Sequence, residues 1–158
     1  MRRILPACLL FIAAASLAFG LSRADFERIV DFSITLKDLA NAAEGRGSLP
    51  SAKIVVLNGT VSDVDVINKE AATFRARIEL MTGEWIGTED VKSYSCYVDF
   101  AGPQYATMFP ARQPKTPAPG AVMVSSRVIV VGRPLSVTTT PLGEKRVLVE
   151  GMLIRTVE

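Results

Sequence analysis

Residues 71–85 read "AATFRARIELMTGEW". Phe74, Ala76, Ile78 and Leu80 alternate with Arg75, Arg77, Glu79 and Met81. Successive strand side chains point to opposite faces, so this spacing predicts a strand over about 72–81 with one apolar and one charged side. The fold turns on whether other segments repeat that pattern, and four do. "KIVVLNGTVSDVDV" (53–66) precedes it, and "SYSCYVDF" (93–100), "SRVIVVGRPLSVT" (126–138) and "KRVLVEGMLIRTV" (145–157) follow. β-Branched residues dominate the first, fourth and fifth strands, and Gly59, Gly132 and Gly151 interrupt them. Glycine inside a long strand predicts a bulge or sharp bend, as a small closed barrel requires.

The connections differ. A short polar turn around "NKEA" joins the first two strands, with Asp63 and Asp65 expected in that turn, and "TTPLGE" joins the last two. Between strands three and four lies "AGPQYATMFPARQPKTPAPGAVMVS" (101–125). It opens with a predicted short helix, "PQYATMF", and continues through Pro110, Pro114, Pro117 and Pro119. Such a stretch cannot pair into a sheet and is expected outside the barrel. Ahead of the strands, "TLKD" (35–38) predicts a helix start with Thr35 as N-cap and Asp38 closing a capping box. Leu36, Leu39, Ala40 and Ala43 form its apolar face, and Gly45 can end it. "IVDFSI" is short and apolar enough for a further strand.

The chain has 158 residues, enough for one domain with a real core. Three of its 18 basic residues, Arg2, Arg3 and Arg23, lie in the first 24 positions, which hold no acid; the other 15 face 16 acids, a net charge of −1. A near-neutral body has no global field for polyanions, which argues against nucleic acid as the partner. Arg2 and Arg3 precede the apolar run "ILPACLLFIAAASLAFGL" (4–21), which reads as an export signal cut after Ala24 or, earlier, after Gly20. The competing reading is an uncleaved anchor, the only route to a membrane. Three segments are expected: signal or anchor at 1–24, lead-in and linker at 25–50, barrel at 51–158. The expected location is periplasmic or secreted.

There is no histidine. That removes the commonest general base and the commonest zinc ligand. Cys96 stands alone after cleavage and alternates inward with Tyr94, Val98 and Phe100, as a buried small apolar residue would. Asp63 with Asp65, and Glu89 with Asp90, lack the pattern of a calcium loop. No cofactor, metal or catalytic residue is called for, and the chain reads as no enzyme.

Five strands with a helix-bearing insert between the third and fourth resemble the OB-fold, a mainly β, closed five-stranded barrel, here preceded by a small helical element. "VVLNGTV", "YSCYVDF" and "SRVIVVGRPLSV" leading into "VLVEGMLI" carry the resemblance, over about 105 residues. They are similar to small exported bacterial OB domains and to the tRNA-anticodon-binding-like OB family. "RIVDFS" (28–33) is similar to a phrase near the start of spirochaete flagellar filament sheath proteins, too short to carry function over. The resemblance implies binding on the exposed face of strands two and three. That face would show Arg75, Arg77 and Glu79 with Ser95, Tyr97 and Asp99, and Trp85 in the following turn. Its mixed charge, and an aromatic in the acidic loop "MTGEWIGTED", point to a protein or glycan of the cell envelope. The alternatives are an oligonucleotide-binding OB protein using Arg75, Arg77, Arg127 and Arg133, and a small carboxylate-dependent hydrolase.

Overall fold

The computed structural model describes residues 22–110, 116 and 118–157. Residues 1–21 of the segment read as an export signal, and most of the proline-rich run, including Pro114 and Pro117, lie outside the described residues.

Two short elements open the described chain: helix α1 (Arg23–Ile29) and strand β1 (Val30–Asp31). Only these two residues of "IVDFSI" pair, in parallel with Ile54 and Val55. Helix α2 (Leu36–Ala43) carries the expected capping box: the Thr35 side chain accepts from the Asp38 amide, and the Asp38 carboxylate accepts from the Thr35 amide. Glu44 follows as C-cap, and Gly45 then takes the left-handed conformation at φ 79° that glycine favours. Leu36, Leu39 and Ala43 are buried in the same core as the barrel residues.

The barrel comprises β2 (Ile54–Asn68), β3 (Arg75–Ile86), β4 (Asp90–Ala101), β5 (Arg127–Thr139) and β6 (Lys145–Thr156). Their order is β2-β3-β4-β6-β5, and β5 returns to pair with β2, so the sheet closes. Neighbours are antiparallel except β4 and β6, which are parallel. This is the OB-fold connectivity predicted from the strand pattern. β2 is long because it serves both partners: Val55–Thr60 pairs with β5 and Thr60–Asn68 with β3. At the changeover Gly59 lets the strands close up, since a Cβ there would sit 2.7 Å from the Met81 carbonyl oxygen. Of the three glycines expected at bulges, Gly132 lies at a register shift and pairs with Gly151; the shifts in β2 fall later, at Val61/Asp63 and Val66/Asn68.

Inward residues fill the barrel by strict alternation: Ala76, Ile78 and Leu80 from β3, Tyr94, Cys96, Val98 and Phe100 from β4. Helix α2 packs against β4 and β6. Around Phe100, at the far ends of those strands, Tyr105 and Phe109 pack with ring centroids 5.0 and 5.4 Å away. Tyr105 Oη donates to the Met152 carbonyl at 2.7 Å.

Several expectations are corrected. "PQYATMF" forms one 3₁₀ turn, Pro103–Tyr105, not a helix, and the ends of the insert are docked: Phe109 and Val122 are buried. The apolar residues flanking the prolines are what the barrel needs to close its end. Residues 71–73 form a 3₁₀ turn ahead of β3, and β3 and β4 extend past the predicted ends as a paired ribbon. Asp63 and Asp65 lie within β2, opposite Glu79 and Arg77, rather than in a turn.

Candidate functional site

The ribbon β3–β4 is in continuous register from Arg75 opposite Ala101 to Ile86 opposite Asp90. Odd-numbered residues of both strands therefore share the outer face. It carries Arg75, Arg77, Glu79, Met81 and Trp85 from β3, and Asp99, Tyr97 and Ser95 from β4. At about 3.3 Å per residue, Arg75 and Trp85 lie about 33 Å apart along the strand.

Arg77 donates from Nε and Nη2 to the two carboxylate oxygens of Asp99, at 2.6 and 2.9 Å. The bidentate pair fixes the guanidinium over the Tyr97 ring, 5.5 Å from its centroid. Hydrogen bonding to Asp99 also holds the Arg77 pKa above its usual value. Arg75 stands 4.0 Å from the same carboxylate. Glu79 is held by Ser62 and Ser95, whose hydroxyls each donate to it at 2.9 Å. Arg146 Nε lies 3.8 Å from Glu79, too far for a hydrogen bond, while its Nη2 donates to Glu144 at 2.6 Å. So the structure brings four of the expected residues, Arg75, Arg77, Glu79 and Tyr97, onto one patch, with its charges paired internally.

Trp85 shares that outer face at the far end of the ribbon. It does not sit in a turn: it is a strand residue 71% exposed. The tip of the hairpin is Gly87-Thr88-Glu89, with Gly87 at φ 72°. The neighbouring Glu84 turns to the other face, where Lys37 of α2 donates to it at 2.7 Å and Tyr94 Oη at 2.9 Å. Those hydrogen bonds, Lys37 first, hold the Glu84 carboxyl below its usual range. Sequence reading missed this tie between helix and ribbon, because nothing local links residue 37 to residue 84.

A second feature spans the strands. Ser95 pairs with Met81, Met81 with Thr60, and Thr60 with Arg127, one row across β4, β3, β2 and β5. A cleft of about 360 Å³ lies along it, lined by Asn58, Thr60, Met81, Gly83, Arg127 and Ile129 among others. Arg155 stands opposite Ile129 on β6. Arg127, Arg133 and Arg155 form no ion pair among the described residues. Arg75, Arg77, Arg127 and Arg133, the arginines of the oligonucleotide alternative, do not form one continuous positive groove, because acids separate Arg77 from Arg133. Across the paired strands that row runs Arg77, Asp99, Glu150, Arg133, with two acids between the two cations.

No protein-family model matches the chain, and no curated protein matches it. Solved structures do. The single-stranded DNA-binding protein of Thermus aquaticus is similar at 15% identity and a TM-score of 0.43, over 66% of this chain and 49% of that one. The small single-stranded DNA-binding protein of Streptomyces coelicolor is similar at 13% identity and a TM-score of 0.41, over 66% and 91%. The N-terminal domain of PriB from Thermoanaerobacter tencongensis is similar at 14% identity and a TM-score of 0.38, over 66% and 96%. This chain thus spans about half the length of the Thermus aquaticus protein.

The expected partner, an envelope protein or glycan with nucleic acid set aside, is corrected. The solved structures similar to this chain are single-stranded DNA-binding proteins and a PriB domain, where the expectation called for an exported envelope module. The mixed charge of the face is present as expected, with Arg77 paired to Asp99; the other two grounds weaken. The net charge of the body averages over a surface on which Arg127 and Arg155 are exposed and form no ion pair among the described residues. Of the acids around Trp85, Glu84 faces the other way, bound to Lys37.

Proposed function

We propose that this barrel is a non-catalytic module that binds single-stranded nucleic acid along the outer face of β3–β4. The observation that carries the reading is the exposed indole of Trp85 on the same ribbon face as Tyr97, under its fixed guanidinium. An exposed aromatic offers a stacking surface that any base can use, and Arg adds a cation–π contribution. In this reading Arg75 and Arg77 flank the platform, Tyr97 and Trp85 stack bases, and Glu79 orients Ser62 and Ser95 at its edge. The hydrolase alternative draws no support: Glu150, the acid that falls in an apolar run, is exposed on the outer face of β6.

Trp85 is the only tryptophan in the chain, so its fluorescence reports on the site directly. Titration with a single-stranded oligonucleotide should quench it saturably, and duplex of the same sequence should do so less. No quenching and no retardation with any single strand would sink the proposal.

Export is a separate proposal, resting on Arg2, Arg3 and the apolar run at 4–21. It would place the nucleic acid met by this protein in the periplasm or outside the cell. Intact mass of the native protein should show a chain beginning at Asp25 or Leu21; a membrane-held full-length species would support an anchor instead.

A further inference from the structure

We infer that a bound single strand leaves the β3–β4 ribbon across β2, through the cleft at Thr60, and that Arg127 and Arg155 contact its phosphates there. The inference rests on the binding reading above and names a second subsite for it. Two routes lead off the platform. The route over β6 passes Asp99 and then Glu150, two carboxylates that repel a phosphodiester. Beside Arg77 and Glu79, β2 likewise presents Asp65 and Asp63, but further along the ribbon the route over β2 passes Ser95, Met81 and Thr60, none of them charged, before it meets Arg127.

The cleft follows the second route. Its floor at Met81 and Gly83 is continuous with the strand that carries Trp85, two residues on. Two strand spacings, about 10 Å, separate β3 from β5. At the far side Arg127, Ile129 and Arg155 are all exposed, and neither arginine has an ion-pair partner among the described residues. This contrasts with Arg77, whose donors are taken by Asp99. The ribbon therefore supplies rings and the β5–β6 wall supplies the free charge. Division of labour of that kind predicts a length threshold: a short oligonucleotide occupies the ribbon alone, and a longer one reaches the arginines.

The test measures binding of dT5 and dT15 to the full protein by fluorescence anisotropy over a range of NaCl concentrations. Two phosphate contacts on a single strand contribute about −1.4 to the slope of log K against log salt. The double variant Arg127→Gln/Arg155→Gln should flatten the dT15 slope by about that amount and leave dT5 unchanged. Thr60→Lys, which adds a cation to the same row, should steepen the dT15 slope by about 0.7. An unaltered dT15 slope in the double variant, with wild-type affinity, overturns the subsite and leaves the ribbon reading standing. Absence of any oligonucleotide binding by the wild type overturns both. Equal loss for dT5 and dT15 places the arginines in the first site and overturns the length threshold.

Discussion

Arg77 and Asp99 face each other directly across β3 and β4, joined by two hydrogen bonds of 2.6 and 2.9 Å. The pair holds a cation over Tyr97 while cancelling its charge. Asp99→Asn should therefore do two things. It should cost about 1 kcal/mol of stability, a charge-assisted pair discounted because the arginine is about one-third exposed. It should also tighten oligonucleotide binding and steepen its salt dependence, because Arg77 becomes free to meet phosphate. Weaker binding in Asp99→Asn at low salt would show that orientation of the guanidinium matters more than its charge.

Trp85 makes little contribution to the core, so Trp85→Ala should leave the melting curve within about 0.5 kcal/mol of wild type. Its loss should reduce oligonucleotide affinity by about 1–3 kcal/mol, the range for one stacked base. Tyr97→Ala should match it in binding and exceed it in stability loss, because Tyr97 is half-buried and packs under Arg77. Anisotropy and thermal melts on the same preparations separate the two effects.

The barrel was legible because its strands alternate cleanly, and alternation alone sorted Tyr94, Cys96, Val98 and Phe100 inward. The capping box at Thr35 and Asp38 is a local signal and was equally readable. What escaped were contacts between distant segments. Glu84 reads as one more acid in a loop until Lys37, 47 residues away, is placed against it. Trp85 was assigned to a turn because glycine and acids surround it, yet pairing with Val91 keeps it in a strand. The cleft at Thr60 depends on β2 changing partners, which no periodicity reveals.

Cys96 has no exposed surface, and burial pushes its pKa up to about 12. The thiolate is the reactive form, so a thiol reagent should modify Cys96 only at the rate of unfolding. Cys96→Ser should cost about 1–3 kcal/mol, because a hydroxyl placed among Leu80 and its apolar neighbours has no assured partner. Stopped-flow labelling in the folded state checks the first claim and chemical denaturation the second.

Gly151 lies against the Phe100 ring, and a Cβ at this position would overlap it. Gly151→Ala should destabilise by about 1–3 kcal/mol, the usual range for overpacking a core. Phe100→Leu in the same chain should recover part of that loss by opening space beside residue 151. A double variant no more stable than Gly151→Ala alone would mean the strain is in the backbone at the β5–β6 bulge.

Three carboxylates with depressed pKa values shape the acid limb of the stability curve, the first being Asp31, held down by hydrogen bonds from the Ser33 side chain and backbone. Hydrogen bonds from the Thr35 side chain and backbone hold Asp38 below its usual 3.8, and hydrogen bonds from Lys37 and then Tyr94 hold Glu84 below its usual 4.5. A carboxyl with a depressed folded pKa stabilises the native state fully above its unfolded value and loses that contribution as pH falls through the folded one. Lys37 is shifted upward by Glu84, so its share is lost only as pH rises past its usual 10.5. The chain has no histidine to titrate near neutrality. The melting temperature should accordingly be flat from about pH 5 to 8 and fall below about pH 4.5. The double variant Asp38→Asn/Glu84→Gln should melt lower than wild type at pH 7 and show a shallower acid limb, the two curves converging near pH 2. An acid limb as steep as wild type would assign the proton uptake to other carboxylates and leave the helix–ribbon tie without a measurable share in stability.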